Sequence, residues 1–136
     1  MLQPNNYITI LGSTGDLGSV LSNHLIKKQY PIHIIIRKGT LEKLKNRVSL
    51  IKTVSIKEVK TLFDKKLLED ILTISPVIYD LAGLVSLSFS SKVFPSVLLI
   101  NGFFPGILAF LNKDKKRRIV YASTQRLQAT TKRKDL

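Results

Sequence analysis

Three glycines, Gly12, Gly15 and Gly18, stand three residues apart where the apolar run Tyr7-Ile8-Thr9-Ile10-Leu11 passes into an amphipathic stretch. This is the pattern of a buried strand that turns sharply into a helix with a bare N-terminus. The first N–H groups of a helix lack partners and its dipole favours negative charge, so such a turn can hold a phosphate. A Cβ at these positions would block the turn or the approach of a pyrophosphate. Thr14, Asp16 and Leu17 complete the segment, and Asp16 in the first helical turn suits the dipole with or without a ligand. Arg37 and Lys38 follow Gly12 by about 25 residues, where dinucleotide folds place an acidic group for the ribose 2′-OH. Two cations there favour a 2′-phosphate, hence NADP over NAD, although a solvated strand end carries such residues too. His24 falls on a helix face and His33 inside a strand, so both read as packing residues. The chain has no cysteine, which excludes disulfides, thiolate metal sites and a thiol nucleophile, and no metal site is expected.

The elements that must position these residues are legible from periodicity. A strand is predicted over 7–12 and a helix over 16–29, with Leu17, Val20, Leu21, His24 and Leu25 at helical spacing. Tyr30-Pro31 ends that helix, because the residue before proline leaves the helical region. Ile32-His33-Ile34-Ile35-Ile36 reads as a strand covered on both faces. A short helix around 40–45, a strand over 48–56, a helix over 57–72, a strand over 76–83 and a strand over 118–124 follow. Strands alternating with helices predict an α/β domain with a doubly wound parallel sheet. Residues 1–124 are expected to form it, with 125–136 as a basic, disordered tail.

Residues 93–111 hold no charge over 19 positions, with Lys92 before them and a basic cluster from Lys113 to Arg118 after. A bilayer span needs about 20 apolar residues, and the basic cluster fits the positive-inside rule. Pro95, Asn101, Gly102, Pro105 and Gly106 interrupt the run, so a buried helix pair is the alternative expectation, and a membrane span is not favoured. The net charge is +13, and the last 24 residues hold nine Lys/Arg against two Asp/Glu. That excess can attract nucleic acid or anionic lipid, but a solvated polar tail explains it as well. The missing aromatic platform argues against a single-strand binder. Gln3, Pro4, Asn5 and Asn6 lack the regions of a secretion signal, and a cytoplasmic protein is expected.

In four places the chain resembles the short-chain dehydrogenase/reductases, specifically the extended branch of NAD-dependent epimerases and dehydratases. Gly12-Ser13-Thr14-Gly15-Asp16-Leu17-Gly18 has that branch's glycine spacing. Val77-Ile78-Tyr79-Asp80-Leu81-Ala82-Gly83 is similar to its strand ending in His-Leu-Ala-Ala. Asn101 resembles the Asn of its Asn-x-x-Gly-Thr helix, and Ile119-Val120-Tyr121-Ala122-Ser123-Thr124 resembles the strand that delivers its Ser/Thr. The resemblance implies a Rossmann-like fold of about five strands, order 3-2-1-4-5, incomplete on its C-terminal side. It also implies a dinucleotide held by Gly12, Thr14, Gly15, Asp16, Leu17, Gly18, Arg37, Lys38, Leu81, Ala82, Gly83, Asn101 and Ser123. Thr124 takes the family's active-site position. The substrate class implied is a hydroxyl or carbonyl compound such as a sugar nucleotide or steroid.

Departures matter as much. None of Tyr7, Tyr30, Tyr79 and Tyr121 has a lysine four residues later, so the family's Tyr-x-x-x-Lys pair is absent and general acid–base work is incomplete. Val54-Ser55 stands where an acidic adenine contact is expected, Phe104-Pro105 replaces Gly-Thr, and Gln125–Leu136 does not continue the pattern, as truncation would leave it. The leading expectation is a cofactor-binding half that is catalytically incomplete by itself. The alternatives are a cofactor-sensing regulatory module, a basic membrane or nucleic-acid binder, and an enzyme completed by a second chain or a homo-oligomer through the open sheet edge.

Overall fold

The computed structural model describes residues 6–84, 92 and 94–122. Five strands form one parallel sheet: β1 (Ile8–Leu11), β2 (Ile32–Arg37), β3 (Val54–Val59), β4 (Val77–Asp80) and β5 (Arg118–Tyr121), in the order β3-β2-β1-β4-β5. This is the predicted Rossmann-like order. It follows from β1 at the centre pairing on both sides, Ile10 opposite Ile34 on β2 and opposite Tyr79 on β4. The β2 isoleucines are buried throughout because both faces are covered. On one face Ile10, Ile34 and Ile36 pack with Leu25 and Ile26 of α1 (Asp16–Lys27) and Leu44 of α2 (Leu41–Lys45). On the other, Leu11, Ile35 and Ile78 meet Leu67, Leu68 and Ile71 of α3 (Lys65–Ile74) and Phe104 and Leu108 of α5 (Phe104–Leu111).

Several expectations are corrected. The third strand begins at Val54, not at 48, and ends at Val59, in register with Ile32 through Arg37. Val48 is instead a buried residue just past α2, its N–H bonded to the Leu44 carbonyl. Helix α3 therefore starts at 65 rather than 57, where Asp64 caps it by accepting from the Leu67 N–H at 3.1 Å.

The inner face of α1 also differs. Leu17 and Val20 are 61% and 68% exposed and His24 is exposed, whereas Gly18, Ser19 and Ser22 face the sheet with Leu25 and Ile26. Small residues are needed there because the helix start lies directly on the preceding loop. Ser22 Oγ donates to the Gly18 carbonyl at 2.7 Å and pairs with the Ser13 hydroxyl at 3.1 Å.

The uncharged stretch is one 18-residue helix, Phe94–Leu111, rather than a buried pair. It comprises α4 (Phe94–Leu98), a π-helical turn (Leu99–Phe103) and α5. Pro105 has no N–H to give the Asn101 carbonyl, and the Tyr121 hydroxyl donates to that carbonyl instead at 2.8 Å. A π turn is how a helix absorbs such a break without ending.

Candidate functional site

At the carboxyl ends of β1, β2, β3 and β4 the sheet opens into a cleft of about 580 Å³. This is where open α/β sheets bind ligands, between strands whose connections leave in opposite directions. Its floor is the loop from β1 to α1. Gly12 has φ +89°, and a Cβ there would lie 2.5 Å from the Leu81 carbonyl oxygen and 2.7 Å from the Ala82 nitrogen. Gly12 and the Leu81–Ala82 backbone thus touch without side-chain space between them. The next turn is closed by the Gly15 N–H on the Gly12 carbonyl at 3.0 Å. A Cβ on Gly18 would strike that same carbonyl and the Ser13 backbone. Gly15 is the N-cap of α1 and offers no side chain to cap it, so the helix N-terminus is left to a ligand.

Of the residues expected to hold a dinucleotide, Gly12, Thr14, Gly15, Arg37, Leu81, Ala82 and Gly83 line this cleft together. Gly18 lies beneath the loop as its packing support. Asp16 points away into solvent, paired with Arg47 Nη1 at 2.6 Å, and Leu17 is exposed beside it. Lys38 is exposed and gives its N–H to the Val59 carbonyl, but it is not among the lining residues. Asn101 also stands behind the wall: its side chain accepts from the Leu84 N–H at 2.9 Å and donates to the Leu84 carbonyl at 2.8 Å. It thereby clamps the segment after β4 onto the Phe94–Leu111 helix. Ser123 and Thr124 lie outside the described residues.

Sequence reasoning missed the far wall. Thr40 and Lys43 from the start of α2, and Lys60 and Thr61 from the end of β3, join Arg37 on the cleft. Lys60 and Thr61 stand at the cleft because β3 ends at Val59 rather than at 56. Val54 and Ser55, expected at the adenine-contact position, sit at the opposite end of the sheet. No Asp or Glu lines the cleft among the described residues, whereas Arg37, Lys43 and Lys60 all do. Glu58, two residues before Lys60, accepts from the Gly39 N–H at 3.0 Å, and Glu42, next to Lys43, pairs with Lys45 at 2.7 Å.

One carboxyl is buried near the floor. Asp80, at the end of β4, is 1% exposed; Oδ1 accepts from the Ala82 N–H at 3.3 Å and Oδ2 has no partner among the described residues. Burial pushes its pKa up to about 6, only partly offset by the Ala82 bond. His33, as expected, is a packing residue: Nδ1 pairs with Ser55 Oγ at 3.0 Å and Tyr7 stands edge-on to its ring. Burial and the nearby Lys57 hold its pKa below the ordinary value. No cluster of metal-ligating side chains occurs among the described residues.

No family model matches the chain, and no curated protein sequence matches it. Solved structures share its fold. A UDP-N-acetylglucosamine 4-epimerase from Methanobrevibacter ruminantium M1, in complex with UDP-N-acetylmuramic acid, superposes with TM-score 0.70 at 20% identity, over 90% of this chain and 39% of that one. A short-chain dehydrogenase/reductase superfamily protein from Agrobacterium tumefaciens with bound NAD gives 0.63 at 17%, over 87% and 32%. A wide-type short-chain dehydrogenase/reductase from Veillonella parvula DSM 2008 in complex with NADP gives 0.62 at 17%, over 91% and 50%. The chain therefore spans half or less of the length of each of these relatives in fold, and at such identities the likeness is one of architecture.

Proposed function

We propose that this chain is the dinucleotide-binding portion of an extended-type short-chain dehydrogenase/reductase and that it takes NADP in preference to NAD. The observation that carries the reading is the cleft wall: Arg37, Lys43 and Lys60 line it and no carboxylate does. An NAD site uses an acid to accept from the ribose 2′-OH, whereas a 2′-phosphate calls for cations. The Gly12–Ala82 contact and the uncapped start of α1 suit a pyrophosphate, and the cleft volume is in the range of cofactor pockets. The bound dinucleotide supplies hydride-transfer chemistry.

The chain's own residues bind and orient. The glycine turn gives backbone N–H groups to the phosphates, the cationic wall takes the ribose end, and Ala82 and Gly83 leave room at the nicotinamide end. By its place in the sequence Thr124 takes the role of hydrogen-bonding the reacting oxygen, but a Tyr-x-x-x-Lys proton donor does not occur in these 136 residues. Catalysis then requires groups outside them. The UDP-sugar epimerases among its relatives in fold support a nucleotide sugar as the substrate of the completed protein.

Calorimetric titration of the chain with NADP and NAD tests the reading. Saturable NADP binding, at least about tenfold tighter than NAD, is expected, and Arg37→Ser should erase most of that preference. Absence of saturable binding to either dinucleotide would sink the cofactor assignment. Hydride transfer by this chain alone would instead refute its catalytic incompleteness.

A further inference from the structure

Asp80 is the one buried acid among the described residues, and the dinucleotide reading gives it no role. It ends β4, and by strand alternation its side chain shares the face of Ile78, toward Leu11 and Phe104. Oδ1 accepts from the Ala82 N–H, and Ala82 lines the cleft; Oδ2 has no partner among the described residues. A buried carboxylate with a free oxygen is costly unless a cation answers it.

No cation of the fold does. Asp80 stands opposite Leu11 on β1 and opposite Tyr121 on β5, whose hydroxyl is given to the Asn101 carbonyl. The Phe94–Leu111 helix has no charged residue. Helix α3 turns Leu68 and Leu72 to this core, while its Lys65, Lys66, Glu69 and Asp70 are exposed. At this end of the cleft the lining residues Leu81, Ala82, Gly83, Ser96, Leu99 and Ile100 are uncharged, whereas Arg37, Lys43 and Lys60 stand on the far wall. The cleft is thus cationic at one end and has a single buried acid beneath the other.

That asymmetry has a consequence for a nicotinamide dinucleotide, whose ring is positively charged when oxidised and neutral when reduced. Phosphates, riboses and adenine are the same in both forms, so only the ring distinguishes them. A field from a carboxylate reaches further through protein than through water. We propose that Asp80 makes this site discriminate the oxidation state of its cofactor, the buried carboxylate favouring the cationic oxidised ring over the neutral reduced one. This role rests on the dinucleotide reading proposed above, which puts Ala82 and Gly83 at the nicotinamide end. The coupling is reciprocal: the oxidised ring holds Asp80 ionised, and a proton on Asp80 removes the discrimination. Because burial pushes the Asp80 pKa up to about 6, the discrimination is full above neutrality and fades in mild acid.

Calorimetric titration of the chain with oxidised NADP and with NADPH, at about pH 7.5 and about pH 5.5, tests this. The ratio of the NADPH to the oxidised-NADP dissociation constant should rise about threefold from the lower pH to the higher. The 2′-phosphate titrates in this range too, but both forms carry it and it cancels in the ratio. Asp80→Asn keeps an oxygen for the Ala82 N–H and loses the charge. Its ratio should be the same at both pH values, and at the higher pH it should bind oxidised NADP about threefold to tenfold more weakly, with NADPH little changed. A merely structural role would weaken both forms alike. A pH-independent ratio in the unsubstituted chain, with both forms bound saturably, overturns the role of Asp80 and leaves the cofactor assignment standing, whether or not the variant folds. A pH-dependent ratio that survives in Asp80→Asn overturns it as well, in favour of another group. No saturable binding of either form overturns both the role and the cofactor assignment.

Discussion

A methyl group at Gly18 has nowhere to go: it meets the carbonyl of Gly12 and the Cα of Ser13, both backbone atoms. Gly18→Ala should therefore cost about 2 kcal/mol or more and abolish dinucleotide binding together, read by urea midpoint and calorimetry. Asp80 is the other residue whose surroundings set its behaviour. Its pKa of about 6 lies above the ordinary 3.8, so between those values the folded chain holds a proton that the unfolded chain releases. The stabilisation is complete below the unfolded value and is lost as the pH rises through the folded one. Urea midpoints from about pH 4 to about pH 7 should show this fall, and Asp80→Asn should flatten it. The glycines announced their role by spacing alone. Asp80 did not, because the residues that bury it are brought around it by elements distant in the chain.

At the level of elements, α1 shows where periodicity misleads. Its most regular apolar residues, Leu17 and Val20, face solvent, while Ser19 and Ser22 face the sheet. Apolar spacing assumes that the buried face needs large side chains, but a helix that begins on a glycine turn approaches the sheet too closely for them. Val20→Lys should consequently change stability by no more than about 0.5 kcal/mol, whereas Ser22→Leu should cost about 2 kcal/mol or more, both measured by urea unfolding. The third strand lies later than the apolar pattern predicts for a related reason. Val48 and Leu50 looked like strand residues, but Val48 completes the core at the end of α2. The cap at Asp64 was the local sign that the helix began later.

For the whole molecule, the alternation of apolar strands with helical stretches determined the α/β class, and the β-branched run 32–36 determined a sheet buried on both faces. The sequence by itself also located the glycine turn, since only glycine permits its backbone contacts, and the basic residues at the end of β2. Tertiary structure alone decided the rest of the cleft. Lys60 shares the cleft with Arg37 only because β3 pairs with β2 in one particular register, and a shift in that register would move every end-of-strand residue. Tertiary structure likewise decided that the uncharged helix keeps its apolar face outward. Hydropathy measures what a segment could bury; the packing against the sheet and α3 fixes what it does bury, Phe104 and Leu108 fully and Leu111 in part.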